Sequence, residues 1–390
     1  MDTRNHHFIS QWGLSHAVND IYWFVLPSIL PLLLEQFGLS YKSAGVILTL
    51  YLGAIALFSF IFGKLTDSLS PFTLIGGGFL IASLGFFLLG WAGNVFVFVF
   101  FLFVAASGVS TYHPAAYALV SDSTDKQKGT QLGNFEFWGA LGIFIMFLLY
   151  GALLQKISWR GILYVTAFPG IIIGYCFLKI FPRPGKEKQS HFSSSPRETG
   201  SSLSLGVQIL FFLALALRIL SITAIVNFAP TYLVKERAFS PSSANLVTGV
   251  LFLGGMLATL VLGRLVDRFP PFPFILWISA LTIPIIWVLA YVQNAIFLMI
   301  LFFLLGSCWL GFMPAQNYIL SSFSSQGKGQ IFGLMMAATT LTNAFAPGLF
   351  GLVADRIGIS SSIRFFSLFV ALSFLIFLLL FPHFSLQRHS

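Results

Sequence analysis

The chain has 390 residues, 57% of them hydrophobic, 46 of them Phe and only 8% charged, where a soluble domain carries about 25% charged residues. That composition excludes a soluble enzyme, a nucleic-acid-binding domain, a disordered chain and a disulfide scaffold, and leaves an all-α polytopic membrane protein. The net charge of +9 does not change this, because Lys and Arg fall mostly in short segments between apolar stretches, as the positive-inside rule requires, and form no phosphate-binding face.

A spanning helix needs about 20 apolar residues. Twelve such segments follow in chain order, at 13–36, 43–65, 72–92, 95–120, 130–154, 160–181, 206–233, 244–265, 272–292, 295–321, 330–353 and 361–382. Residues 1–12 are polar, and the apolar stretch after them is too long for a signal-peptide core. An even number of spans puts both termini on one side. Thirteen Lys and Arg, among them Lys64, Arg264 and Arg268, fall on that side and seven on the other, so both termini are expected in the cytoplasm. From Pro182 to about Ser204 the chain is rich in Ser, Pro and charge, which predicts a flexible cytoplasmic linker at 183–204. It separates an N-terminal bundle of six helices (1–182) from a C-terminal one (205–390).

The halves repeat. GKLTDSLSPF at 63–72 aligns with GRLVDRFPPF at 263–272, HPA at 113–115 with MPA at 313–315, and KGTQLG at 128–133 with KGQIFG at 328–333, all at an offset of 200. Over Gly63–Gly133 against Gly263–Gly333 there are 16 identities in 71 positions, where this composition yields roughly six by chance. A parallel repeat of six helices plus six is the architecture of major facilitator transporters. Gly63, Lys64, Leu65 and Asp67, and again Gly263, Arg264, Leu265, Asp267 and Arg268, resemble the signature of that superfamily between helices 2 and 3. The glycines let helix ends approach closely. Asp67 is expected to face the positive N-terminus of the eleventh span near Gly329, and Asp267 that of the fifth near Gly129, as cytoplasmic gate latches.

Within that superfamily, SHAVNDIYWFVLPSILPLL at 15–33, the Lys64–Pro71 loop and GVSTYHPAAYALVS at 108–121 look like the fosmidomycin-resistance family of drug efflux transporters. The Ser-His-x-x-Asn-Asp run of that family is here Ser15, His16, Asn19 and Asp20. Its Gly-x-x-x-aromatic-His-Pro run is Gly108, Tyr112, His113 and Pro114. The likeness is close over the first 142 residues and generic afterwards. The family's fifth helix carries a Gly-rich run ending in Gly-Pro; this chain has Gly139, Ala140, Leu141 and Gly142 with no Pro, and places Glu136 in that helix. The resemblance implies a monomer in a bacterial inner membrane.

Few ionisable groups lie away from loops and helix ends: His16 and Asp20 in the first span, His113 in the fourth, Glu136 in the fifth and Arg218 in the seventh. A charge at the bilayer centre costs roughly 2.5–3.5 kcal/mol on insertion scales, so such groups face a bundle interior or a water-filled cavity. His16 and Asp20 are four apart and share a helix face. Asp20 is the candidate proton carrier or substrate ligand, and the alternative is a polar lock between helices. His16 and His113 titrate near neutral pH when unperturbed, or serve as satisfied core residues. Arg218 keeps its proton and either pairs with Asp20 or Glu136 across the bundles or binds an anionic substrate. Glu136 is a second proton site or a cap on the cytoplasmic end of its helix. In the resembled fold helices 1, 4, 7 and 10 line the central cavity, which adds Asn19, Gln316 and Asn317. Trp12, Tyr22, Trp23, Trp138 and Trp309 line the cavity or pack. The Pro after His113 favours a local kink.

Other chemistry is missing from the sequence. No phosphate-binding glycine loop with Lys-Ser/Thr occurs, so ATP is not the direct drive. His6 and His7 lack further ligands, so no metal site is legible. Cys176 and Cys308 read as buried thiols, and no cofactor is called for. The reading is a secondary transporter of a small solute by alternating access, coupled to protons, with drug-like efflux favoured. The rivals are proton-coupled uptake of a nutrient, organic anion or metal chelate, and, further off, a channel or a membrane enzyme.

Overall fold

The computed structural model describes residues 3–66, 68–120, 128–180, 203–324 and 329–385. Those residues are helical apart from short turns, and twelve helical segments are long and apolar enough to cross a membrane. The expected linker at 183–204 lies outside the described residues except for its last two, and so does Asp67.

The first half comprises α1 (Thr3–Phe37), α2 (Tyr41–Leu65), α3 (Pro71–Leu89), α4 (Val95–Val109), α5 (Tyr112–Val120), α6 (Lys128–Leu153) and α7 (Trp159–Tyr175), the last extended by a π-helical turn at Cys176–Ile180. The second comprises α8 (Leu205–Arg237), α9 (Pro241–Val266), α10 (Pro271–Leu289), α11 (Ala295–Leu310), α12 (Phe312–Ser324), α13 (Gly329–Ile357) and α14 (Ile359–Ser385). Short turns carry their own chemistry. Ser40 and Ser240 cap α2 and α9 by accepting from Ser43 N–H and Ser243 N–H, and Asn94 and Asn294 cap α4 and α11 in the same way. Each pair stands at the repeat offset.

Two expected spans are each broken in two. The fourth is α4 plus α5, interrupted at Ser110 and Thr111; the tenth is α11 plus α12, interrupted at Gly311. The cause is written in the HPA and MPA repeat. A proline removes one rung of the ladder and its ring crowds the carbonyl four residues back, which is Ser110 for Pro114 and Leu310 for Pro314. The Ser110 carbonyl accepts instead from Ser59 Oγ at 3.2 Å.

Two six-helix bundles result, and they meet along two seams that the repeat makes equivalent: α6 against α9, and α2 against α13. Glycines set both. A methyl group on Gly133 would collide with the Thr259 carbonyl and crowd Gly263, and one on Gly151 would collide with Leu246. The α6–α9 seam is therefore tight at both ends. In the other seam Gly45 abuts Pro347 and Gly348, and Gly351 abuts the Tyr41 carbonyl. These contacts belong to the half of the molecule away from the termini, the distal side. At the terminal side Gly333 faces open space. Leu57, Phe60 and Ile61 of α2 are exposed there, as is Met336 of α13. On the distal side Lys235 Nζ lies 2.7 Å from Glu35 Oε1, and Asn245 Nδ2 donates to the Ser28 carbonyl at 3.0 Å.

Candidate functional site

The fold gathers the polar residues of the first, fourth and fifth spans at one level. On α1, His16 and Asp20 sit one turn apart, with His16 Nε2 at 3.3 Å from Asp20 Oδ2. The break after α4 brings His113 to the same carboxylate, Nε2 at 3.6 Å from Oδ1. Asn19 Nδ2 donates to His113 Nε2 at 3.3 Å and lies 3.5 Å from Asp20 Oδ1. His16 is buried, Asp20 and His113 partly so. The His16 ring is clamped, stacked on Phe135 with centroids 3.8 Å apart and on Tyr112 at 5.8 Å. Tyr112 is held in turn by Ser15 Oγ at 3.1 Å.

Glycines in α6 make room for this cluster. A methyl group on Gly139 would collide with Asp20 Oδ2 and meet the His16 ring, and one on Gly142 would collide with the Ala17 backbone. The run that stands where the resembled family has Gly-Pro therefore works as the packing surface for α1.

The donors and acceptors around His16 constrain its protons. His16 Nδ1 lies 2.8 Å from the Phe135 carbonyl, which accepts only, so Nδ1 carries hydrogen. Nε2 then faces a carboxylate oxygen, and two lone pairs do not meet at this distance. The contact is one that a shared proton would bridge. His113 Nε2 is approached from two sides, by Asn19 Nδ2 and by Asp20 Oδ1. The ligand atoms of His16, Asp20 and His113 also lie within 4.8 Å of one another, a spacing a divalent cation would accept. The sequence showed no such cluster because its members come from two spans.

Glu136 is in the third turn of α6, which starts at Lys128, so it does not cap that helix. Its charge bears on both His16 and Asp20. Distal to the cluster the aromatics pack. Trp23 stands edge-on to His113 at 5.9 Å. Phe24 of α1, Phe252 of α9 and Trp309 of α11 are within 4.9–6.0 Å of one another across the bundles. Tyr22 is buried and its hydroxyl bonds Ser83 Oγ at 3.2 Å. On the terminal side of the cluster, Trp138 packs beside Phe137 and over Gly13. The Trp12 side chain lies outside the described residues.

Arg218 does not pair with Asp20 or Glu136. It is buried in the second bundle, where Nη2 donates to the Cys308 carbonyl at 2.7 Å and the guanidinium lies 3.9 Å over the Phe312 ring. Height along the membrane was readable from the sequence; the side of the bundle was not. Gln316 and Asn317 are half-buried on α12, and among the described residues no hydrogen bond joins them to the Asp20 cluster.

Of the loop motif, Gly263 is buried against Gly133. Asp267 Oδ2 accepts from the Thr130 N–H at 2.9 Å and from its hydroxyl, at the N-terminus of α6 where backbone donors lack helical partners. Arg264 and Arg268 are exposed. Lys64 is exposed too, with Nζ 4.5 Å over the Phe60 ring, and a methyl group on Gly63 would meet only Pro114, at 4.0 Å. Thr130 was missed by the reading of the sequence, although it sits inside the KGTQLG repeat; the Phe135 carbonyl leaves no trace in a sequence.

Known proteins place this arrangement. The sequence model of the Major Facilitator Superfamily matches residues 12–210 and again 210–385. The chain is similar to the multidrug resistance protein MdtG of Escherichia coli, 25% identical over 338 residues, covering 83% of this chain and 81% of that one. Among solved structures it resembles a bacterial homologue of the human lysosomal transporter Spinster in an inward-facing, occupied conformation, with TM-score 0.77 and 15% identity over 100% of this chain and 99% of that one. It also resembles a variant of the nucleoside transporter NupG, with TM-score 0.73 and 13% identity over 96% and 99%.

Proposed function

The chain belongs to the Major Facilitator Superfamily, and from that premise we propose that it exports a drug-like small solute in exchange for protons, with the His16–Asp20 pair as the proton carrier. As a member of that family it is a membrane transporter and not an enzyme. The observation that supports the proton reading is the hydrogen-bond geometry of His16: Nδ1 is committed to the Phe135 carbonyl, which leaves Nε2 facing Asp20, where a carried proton would sit. The similarity to MdtG supports export.

The cycle follows from the seams. The distal side is closed by the glycine contacts, the Lys235–Glu35 pair and the aromatic layer of Phe24, Phe252 and Trp309. Among the described residues the α2–α13 seam is open on the terminal side, at Gly333. With the excess of Lys and Arg placed in the cytoplasm, this is a conformer opening inward, in a bacterial inner membrane. The loaded proton would leave the pair to the cytoplasm as solute enters, and rocking of the bundles would then expose the site outward for reloading. Removing one partner of a buried ionic pair leaves the other uncompensated, at a cost of about 3–5 kcal/mol. That cost couples release of the proton to rearrangement of the cluster. Asp67 and Asp267 would latch the terminal side as gate residues.

Inverted membrane vesicles test this. They are energised, a compound panel including fosmidomycin is added, and proton release is read for wild type and Asp20→Asn. Compound-triggered release in wild type that falls to background in the variant is expected. Equal release in both sinks the carrier assignment and moves the proton to Glu136 or His113. No release from wild type with any compound sinks export. Uptake is the second reading, and the absence of a Pro after Gly142 favours it.

A further inference from the structure

We infer that the transported solute carries an anionic group, a carboxylate, phosphonate or sulfonate, and that this group seats on Arg218 in the second bundle. The inference rests on the transporter reading and names its substrate class. Arg218 is 3% exposed, within the membrane span Leu205–Arg237, and a guanidinium does not shed its charge there. Among the described residues it has no carboxylate partner. Asp20 and Glu136 belong to the His16 cluster in the other half, and Glu35, Glu236, Asp267 and Asp355 stand at helix ends. Among the described residues, what holds the guanidinium is a single carbonyl, Cys308 O, and the face of Phe312. Its Nε–H is buried and has no acceptor.

A buried cation held in this way is incomplete. Charged residues in membrane spans pair with one another or with backbone carbonyls; here one carbonyl leaves Nε unsatisfied, and an orphaned buried donor costs about 1–3 kcal/mol or more when charged. An oxyanion supplies both missing items at once: the counter-charge, and an acceptor for Nε beside the guanidinium fork that suits carboxylates and phosphonates. The site also has a moving part. Cys308 and Phe312 flank the break at Gly311 between α11 and α12, so a change in the angle of the broken helix would uncover Arg218. Gln316 stands one turn beyond Phe312 on the same face of α12, where its amide can donate to a second oxygen.

The site is the counterpart of the proton cluster. Phe312 is Tyr112 shifted by 200, and each ring receives a charged or titratable side chain from the first helix of its own half, Arg218 in one case and His16 in the other. The proton and the anion would thus occupy equivalent places in opposite bundles.

Thermal unfolding of the purified full-length protein in detergent tests the inference with matched probes: benzoate, phenylphosphonate and benzenesulfonate against benzamide and benzyl alcohol. At least one anion is expected to raise the midpoint saturably while the uncharged probes do not. Arg218→Gln should weaken that anion by about 10- to 100-fold, the loss expected for charge-assisted hydrogen bonds, and Arg218→Lys by a smaller factor, because Lys keeps the charge and loses the fork. If Arg218→Gln does not purify as a folded protein, the wild-type and Arg218→Lys comparison decides. Anion binding equal in wild type and the Arg218 variants, equal stabilisation by uncharged probes, or no stabilisation by any anion overturns the inference. The proton reading fails separately, through release that is insensitive to Asp20→Asn.

Discussion

The two seams between the bundles are copies of each other, yet among the described residues one is closed at both ends and the other at one. Shifted by 200, the α6–α9 seam becomes the α13–α2 seam, Gly133 becomes Gly333 and Gly263 becomes Gly63. Gly133 is packed against Thr259 and Gly263, whereas Gly333 faces open space. Two identical glycines in one repeat motif thus do different work at the same moment. The difference locates the opening of this conformer along a single seam and shows how pseudo-symmetric halves produce an asymmetric gate.

Alanine at the two glycines breaks the comparison most sharply. Gly133→Ala would drive a methyl group into the Thr259 carbonyl, and overpacking of this kind costs about 1–3 kcal/mol. Gly333→Ala meets nothing and gains helix propensity, up to about 1 kcal/mol. Thermal midpoints of the purified proteins should therefore move in opposite directions. Equal shifts would mean that the two seams are packed alike.

Asp267 sharpens it next. Its carboxylate caps the exposed start of α6 through Thr130, a role whose loss costs about 0.5–2 kcal/mol in helix caps. Because this cap joins two bundles, Asp267→Asn should lower the midpoint modestly and open the terminal end of the α6–α9 seam. A cysteine placed beside Thr130 would report the opening as faster thiol labelling from the terminal side. Unchanged labelling would reduce Asp267 to a loop charge.

Much of this was legible before any coordinates. The twelve spans follow from hydropathy because a membrane demands about 20 apolar residues per helix, and the repeat follows from the shared Gly-x-Leu-x-Asp. The His16–Asp20 contact follows from a spacing of four on a helix. The breaks after α4 and α11 were half-legible: Pro114 announced a kink, but treating Pro314 as its copy would have announced the second. What the sequence could not supply is azimuth. It placed Arg218, Asp20 and Glu136 near one depth and left open a pairing across the bundles, whereas the acids turn toward His16 and Arg218 turns toward Cys308. Backbone partners, such as the Phe135 carbonyl that fixes the proton on His16, depend on helix packing and carry no side-chain signature.

The smallest expected effect tests the repeat where it is written differently. Gly38 ends α1 with φ +59°, and Ala238, its copy after α8, has φ 56°. The same left-handed turn therefore closes both helices, free of strain in one half and at a cost in the other, since a Cβ in this region costs about 1–2 kcal/mol. Gly38→Ala adds that strain and offsets part of it by restricting the unfolded chain, worth about 0.4–1 kcal/mol, so a small fall in the thermal midpoint is expected. Ala238→Gly is the reverse change and should raise the midpoint by a similarly small amount. If Ala238→Gly destabilised the protein, the two turns would not be equivalent, and the Ala238 methyl group would have to contribute packing that outweighs its backbone strain.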